Sequence, residues 1–153
     1  MKAIARRGLL SGGLLCGAVL GLPRVQAQSG VWLVTGAEAA LPPSATSKAG
    51  RAITRGPAIR QVSPAASVPA NQPFTLRIEF AGRGGEKVDP ATAQITILRG
   101  SDINITDRLK PYIKANGIEI PNAMVGAGTH ALQVAVSDAR GRQTIANIEI
   151  DAR

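Results

Sequence analysis

Residues 128–151, GTHALQVAVSDARGRQTIANIEID, carry the clearest fold signal in this chain. Apolar residues alternate with small or polar ones from Leu132 to Val136, and the alternation resumes at Ile148. Between these segments, residues 138–142 (Asp-Ala-Arg-Gly-Arg) have the composition of a tight turn. A period of two is typical of a strand with one buried face, so the sequence predicts a β-hairpin here.

Further strand patterns precede this hairpin. The most regular is FTLRIEF at residues 74–80, in which every second residue is apolar. Residues 58–62 predict a first edge strand, and residues 94–98 predict a third strand. Asn116-Gly117 is the best signal for a two-residue turn, which predicts a second, shorter hairpin.

The run GTHALQVAVSDARG at residues 128–141 resembles the penultimate strand and following turn of bacterial immunoglobulin-like and fibronectin-type modules. In those families an aromatic residue commonly occupies the position of His130, ahead of alternating apolar residues and an Asp-x-x-Gly turn. The resemblance implies an all-β fold, an immunoglobulin-like antiparallel β-sandwich of about seven strands, over residues 57–153. A jelly roll or another Greek-key sandwich is the structural alternative.

Residues 1–27 have the organisation of an export signal. Lys2, Arg6 and Arg7 form a basic head, residues 9–22 an apolar run, and Val-Gln-Ala ending at Ala27 a small-residue cleavage site. The apolar run is about 14 residues long, shorter than the roughly 20 that span a bilayer. We expect cleavage after Ala27 and a periplasmic or secreted mature protein without a membrane span. The paired arginines leave both the general secretory and the twin-arginine routes open.

Processing also changes the composition of the chain. The single cysteine, Cys16, lies in the apolar run, so its removal excludes disulfides, thiolate metal sites and a cysteine nucleophile from the mature protein. Loss of the four basic residues of the leader lowers the formal net charge from +8 to +4. With two phenylalanines, one tyrosine and one tryptophan, the chain lacks the stacking residues and the dense basic stripe of a nucleic-acid binder.

Residues 28–56 are expected to form two unlike pieces. The sequence VWLV at residues 31–34 has the composition of a strand, whereas residues 36–55 are rich in Ala, Pro, Ser, Thr and Gly and lack any period, which is typical of a tether. Trp32 is the large aromatic residue of this segment. We expect Trp32 either to dock on the sandwich as part of an extra edge strand or to contact a partner.

Residues 102–111 differ in pattern from the predicted strands on either side. Their pattern predicts a short helical crossover between the two sheets, with Thr106 as its N-terminal cap. Asp102, Asn104 and Asp107 could also supply oxygen ligands to a hard cation such as Ca²⁺. Their spacing lacks the glycine bend and the distant bidentate glutamate of a calcium loop, and helix capping accounts for the same residues. The sequence therefore predicts no metal and no other cofactor.

His130 is the single histidine of the chain. Together with Met124 it could bind copper, since imidazole and thioether ligands suit that metal. The resemblance implies instead a buried corner side chain that bonds to the backbone. No nucleophile motif accompanies this histidine, so the sequence predicts no catalytic residues and no enzyme.

Three functional hypotheses remain open at this point. The favoured one is a non-catalytic interaction module that holds an unidentified protein of the bacterial envelope through a sheet face or an edge strand. The second is a periplasmic binder of a small ligand or carbohydrate, for which exposed aromatic residues are scarce. The third is a metal-binding or enzymatic periplasmic protein.

Overall fold

The computed structural model describes residues 30–44 and 55–153, so the predicted leader and residues 45–54 of the predicted tether lie outside the described residues. Strands and short helices follow one another along the described ranges. They are β1 (Val31–Val34), α1 (Gly36–Ala39), β2 (Ala58–Ser63), β3 (Phe74–Ala81), β4 (Val88–Ile97), β5 (Ile103–Asn104), α2 (Thr106–Leu109), a 3-10 turn (Lys110–Tyr112), β6 (Ile113–Lys114), β7 (Gly117–Val125), β8 (Gly128–Asp138) and β9 (Gln143–Ala152).

The terminal hairpin predicted from the sequence is formed by β8 and β9. The two strands pair antiparallel without a register shift, from Gly128 opposite Ala152 to Ser137 opposite Gln143. Because side chains alternate between the faces of a strand, this register directs Leu132 and the apolar residues of the same period into the core. The hairpin prediction is confirmed.

Asp138 holds the turn between these two strands. Its Oδ1 accepts hydrogen bonds from the backbone N–H groups of Arg140 and Arg142, both at 2.9 Å, and its Oδ2 accepts from the Arg142 Nε at 2.7 Å. Gly141 has a φ of 75°, which favours glycine. Burial opposes ionisation of the Asp138 carboxyl, but the backbone and guanidinium bonds from Arg142 and the backbone bond from Arg140 outweigh it, so its pKa lies below the ordinary value.

The strands form two sheets. The first has the order β1, β7, β3, β2, with the short strand β6 added to β7, and the second has the order β5, β4, β8, β9. All strand pairs are antiparallel except β1 with β7. The protein is therefore an all-β sandwich, as the sequence predicts. No helix in the described ranges is long and apolar enough to cross a membrane.

The core lies between the two sheets and is built from the inward period of each long strand. In β3 the buried residues are Leu76, Ile78 and Phe80, as the alternation of residues 74–80 predicts. The third strand begins earlier than predicted, at Val88, with a register irregularity between Asp89 and Gln94. The largest fully buried apolar side chains come from both sheets, from β1 and from the crossover: Leu33, Val34, Leu76, Ile95, Ile97, Ile105, Leu109, Ile118, Ile120, Leu132 and Ile150.

The crossover from the second sheet to the first is helical, as predicted, but its capping differs from the expectation. Thr106 does not cap α2, because its Oγ1 accepts the backbone N–H of Ile95 on β4 at 2.9 Å. Instead, the Asn104 side chain accepts the Thr106 N–H at 2.9 Å. The prediction that Thr106 is the cap is wrong, because its hydroxyl bonds to the backbone of Ile95 on β4 and not to the N-terminal amides of α2.

Two truncations test which side chains lie in the core and which lie on the surface. Leu132→Ala removes a fully buried side chain and should lower the free energy of unfolding by about 2–5 kcal/mol. Val62→Ala on β2, where the side chain is 40% exposed, should change it by less than about 0.5 kcal/mol. Urea denaturation measures both values, and equal effects of the two variants would contradict the fold described here.

Candidate functional site

A row of uncharged polar residues crosses the outer face of the second sheet. The strand register places Asn104 of β5 opposite Thr96 of β4, Thr96 opposite Gln133 of β8, and Gln133 opposite Asn147 of β9. We call these four residues the polar row. All four side chains lie on the outer face of the sheet. Side chains alternate between the faces of a strand, and the neighbouring residues are buried: Ile95, Ile97, Leu132, Val134 and Ile148.

On one side the residues beside the polar row are uncharged, and on the other side the charged Glu149 lies opposite Ala131. In the next row, Gln94 lies opposite Ala135, and Ala135 lies opposite Ile145. Ile145 is 49% exposed and adds a large aliphatic side chain to this surface. Within the polar row, the Gln133 Nε2 donates to the Asn147 Oδ1 at 3.4 Å. The polar row offers amide and hydroxyl groups, which cost less to desolvate than charged groups do.

The outer face of the first sheet has a different character. There Arg77 pairs with Glu79 at 3.1 Å, and Lys114 pairs with Glu119 at 3.9 Å. A shallow groove lies between these pairs and is lined in part by Gly117. A Cβ atom at this position would lie 2.0 Å from the backbone oxygen of Ile78. The charged side chains of this face are mostly exposed and pair with one another. This face therefore leaves fewer polar groups for a ligand than the polar row does.

Trp32 lies in β1, the parallel edge strand of the first sheet, opposite Met124 of β7. Its side chain is half-buried, whereas the next two residues, Leu33 and Val34, are fully buried. The structure thus places Trp32 on a strand that docks on the sandwich. Whether Trp32 also contacts a partner stays a prediction.

Arg108 holds this N-terminal segment in place. Its guanidinium donates to the backbone oxygens of Trp32 and Leu33, both at 3.2 Å, and pairs with the Glu38 carboxylate at 3.0 Å. Glu38 also accepts the Thr35 N–H at 2.7 Å and completes a capping box at the start of α1. The hydrogen bond from Arg108, which outweighs the effect of partial burial, lowers the pKa of Glu38 to about 2.

Arg99 makes a second attachment of the N-terminal segment. Its Nη1 donates to the backbone oxygens of Ala39 and Leu41 at 2.9 and 2.8 Å, and its Nη2 donates to that of Thr129 at 2.5 Å. Neither arginine was singled out from the sequence. An isolated arginine gives no signal of its role, because its acceptors here lie 30 or more residues away and most of them are backbone oxygens.

The three candidate calcium ligands lie on β5, on α2 and in the turn that precedes β5. Asp102 has a φ of 57°, and its Oδ1 is buried without a hydrogen-bond partner. The Asn104 Oδ1 is already bonded to the N–H of Thr106, and Asp107 is exposed in the first turn of α2. Across the described residues there is no group of three or more His, Cys, Asp or Glu side chains that could hold a metal ion.

His130 is fully buried, in agreement with the structural role that the sequence favours. Its Nε2 lies 2.8 Å from the backbone oxygen of Gly126, so this nitrogen must carry the proton. The Nδ1 has no partner. Burial, together with the nearby charge of Arg99, lowers the pKa of His130 below its ordinary value of 6.5, although the bond to Gly126 acts in the opposite direction.

Trp32 is the single tryptophan of the chain and therefore reports on the attachment made by Arg108. Arg108→Met should detach the N-terminal segment in part, shift the fluorescence emission of Trp32 to longer wavelength and lower stability by roughly 1 kcal/mol. Arg77→Met, which removes an exposed pair on β3, is the matched control and should leave the emission unchanged. An unshifted emission in Arg108→Met would contradict the attachment.

The buried neutral His130 makes stability depend on pH. Because its pKa is lower in the folded than in the unfolded chain, the unfolded chain binds more protons below about pH 6.5, and stability should fall as the pH drops from there. In His130→Gln the melting temperature should decline less between about pH 6.5 and 5. Glu38 contributes at lower pH, between 4.5 and about 2, so the two effects are separable. An identical pH profile in the variant would exclude His130 as the cause.

Comparisons with known proteins add little to this description. No protein-family model matches the chain, and no curated protein matches it. Among solved structures, the chain is similar to CopC from Methylosinus trichosporium OB3b, with a TM-score of 0.41 and 16% sequence identity. The alignment covers 63% of this chain and 95% of that one.

Proposed function

We propose that the protein is an exported, non-catalytic interaction module that holds a protein of the bacterial envelope through the outer face of its second sheet. The observation that carries this proposal is the polar row, which continues across all four strands of the sheet. A continuous row of amide and hydroxyl groups beside an exposed Ile145 combines hydrogen bonding with apolar contact, as protein interfaces do.

Several features support a binding role rather than catalysis. Among the described residues, the titratable side chains with shifted pKa values are Glu38, His130 and Asp138, and each holds part of the fold together through hydrogen bonds. The resemblance of residues 128–141 to immunoglobulin-like and fibronectin-type modules favours the same role, since modules of this kind commonly bind other proteins through their exposed faces and edges.

Export rests on the sequence of residues 1–27. A basic head, a short apolar run and a small-residue site ending at Ala27 are typical of a cleaved signal, so we propose a periplasmic or secreted location. The low aromatic content and the net charge of +4 expected after cleavage favour a protein partner over nucleic acid.

A carbohydrate ligand is the second candidate, and the polar row is also the observation that favours it. Side-chain amides and hydroxyls can pair with sugar hydroxyls on a flat face. No aromatic residue belongs to the polar row or to the row beside it, so a sugar would lack the stacking surface that such sites normally provide.

A charge placed on the polar face should abolish partner capture. We expect Gln133→Lys and Gln94→Lys to remove the proteins that the processed wild-type chain retains from envelope extract of its native host, since an unpaired ammonium at a close-packed interface is costly to desolvate. Quantitative mass spectrometry of the retained proteins is the measurement.

Thr75→Lys is the control, because it adds the same charge to the outer face of the opposite sheet. Capture that is equally strong in all variants would rule out the polar face as the binding surface. Specific binding to a glycan array that is lost in Gln133→Lys would support the carbohydrate candidate instead.

A further inference from the structure

Strand β9 forms an open edge of the second sheet. It pairs with β8 on one side, and within the described ranges the opposite side is bonded only at its C-terminal end. There the Val68 N–H donates to the Asp151 oxygen at 2.8 Å, and the Arg153 N–H donates to the Val68 oxygen at 3.0 Å. The remainder of β9 is a long edge for a sandwich of this size.

The direction of the backbone groups follows from the ladder. In an antiparallel pair, alternate residues bond to the neighbouring strand, and the residues between them point away from it. The Arg142 oxygen accepts the Asp138 N–H, so the even-numbered residues of β9 bond to β8. The peptide groups of Gln143, Ile145 and Asn147 therefore point to the open edge.

The side chains on this edge permit a two-fold pairing with an identical strand. If two copies of β9 pair antiparallel about Ile145, each Ile145 lies opposite its equivalent, and Gln143 of one copy lies opposite Asn147 of the other. This brings together the two exposed aliphatic side chains and pairs carboxamides with carboxamides. No like charges oppose one another, since Glu149 then lies beside the partner's turn at Gly141, between two arginines.

The alternative register about Asn147 is disfavoured by the same observations. It would place Gln143 of one copy opposite Asp151 of the other, where Val68 already occupies the edge. It would also place Ile145 opposite Glu149 and leave the apolar side chain without an apolar partner. The edge groups used by the register about Ile145 are not bonded to Val68.

We infer that the partner of this edge is a second copy of the chain, joined through antiparallel pairing of β9 with β9 about Ile145. The second sheets of two protomers then form one continuous eight-stranded sheet. The polar row of one copy lies beside that of the other on the same face. The inference concerns self-association and stands independently of the proposed envelope partner.

Cysteine substitution tests both the dimer and its register, because the processed chain is expected to lack cysteine. In a hydrogen-bonded antiparallel pair, opposite Cα atoms are about 5.5 Å apart, which is within the range that a disulfide can bridge. Processed Ile145→Cys protein should therefore convert to a disulfide-linked dimer under mild oxidation. Wild-type protein should show a concentration-dependent dimer in sedimentation velocity experiments, and Ile145→Lys should remain a monomer.

Two variants serve as controls for chance collision. Asn147→Cys introduces a thiol on the same edge, but in this register the two copies of residue 147 are offset by four residues along the strands, or about 13 Å. Val62→Cys places a thiol on β2 with similar exposure. Selective cross-linking of Ile145→Cys supports the inference. Equal cross-linking of the three variants, preferential cross-linking of Asn147→Cys, or a wild-type protein that stays monomeric at every concentration would overturn it.

Discussion

The uninterrupted register between β8 and β9 is the constraint on which the rest of the sandwich depends. Because side chains alternate along a strand, this one alignment determines which residues of both strands enter the core. A slip of one residue in β9 would turn Ile148 and Ile150 to solvent and direct Asn147 and Glu149 inward. The buried Asp138 carboxylate prevents such a slip at the turn, since it bonds to two backbone N–H groups and to the guanidinium of Arg142.

The same alternation gives the two outer surfaces their separate characters. On the first sheet the outward positions hold charges that pair within the face, such as Arg77 with Glu79. On the second sheet the uncharged Thr96, Gln133 and Asn147 align across neighbouring strands, and Glu149 lies beside them on β9. Charged groups on a surface are solvated and mutually satisfied, whereas amides on a flat sheet retain free donors and acceptors for a ligand. The contrast between the faces is the main reason to assign binding to the second sheet.

The N-terminal segment is attached to the sandwich in two physically different ways. Leu33 and Val34 enter the common core, so β1 contributes to the hydrophobic stabilisation of the domain. Arg108 and Arg99 then bond the backbone around it to the crossover and to β8. Bonds from a charged donor to backbone oxygens depend on the path of the chain and not on the identity of the acceptor residues. This attachment consequently leaves no pattern in the acceptor sequence.

The sequence by itself determined the class of fold, the terminal hairpin and the burial of His130. The fold class and the hairpin follow from local periodicity and turn chemistry, as in the alternation of residues 74–80 and the Asp138 turn, and local patterns are visible in one segment at a time. The burial of His130 was implied by the resemblance of residues 128–141 to immunoglobulin-like modules. Only the tertiary structure decided that Thr106 bonds to β4, that Arg108 holds β1, and that four residues from four strands make one polar row. Each of these depends on which strands become neighbours and in what register, and that pairing is set by packing of the whole core rather than by any single segment.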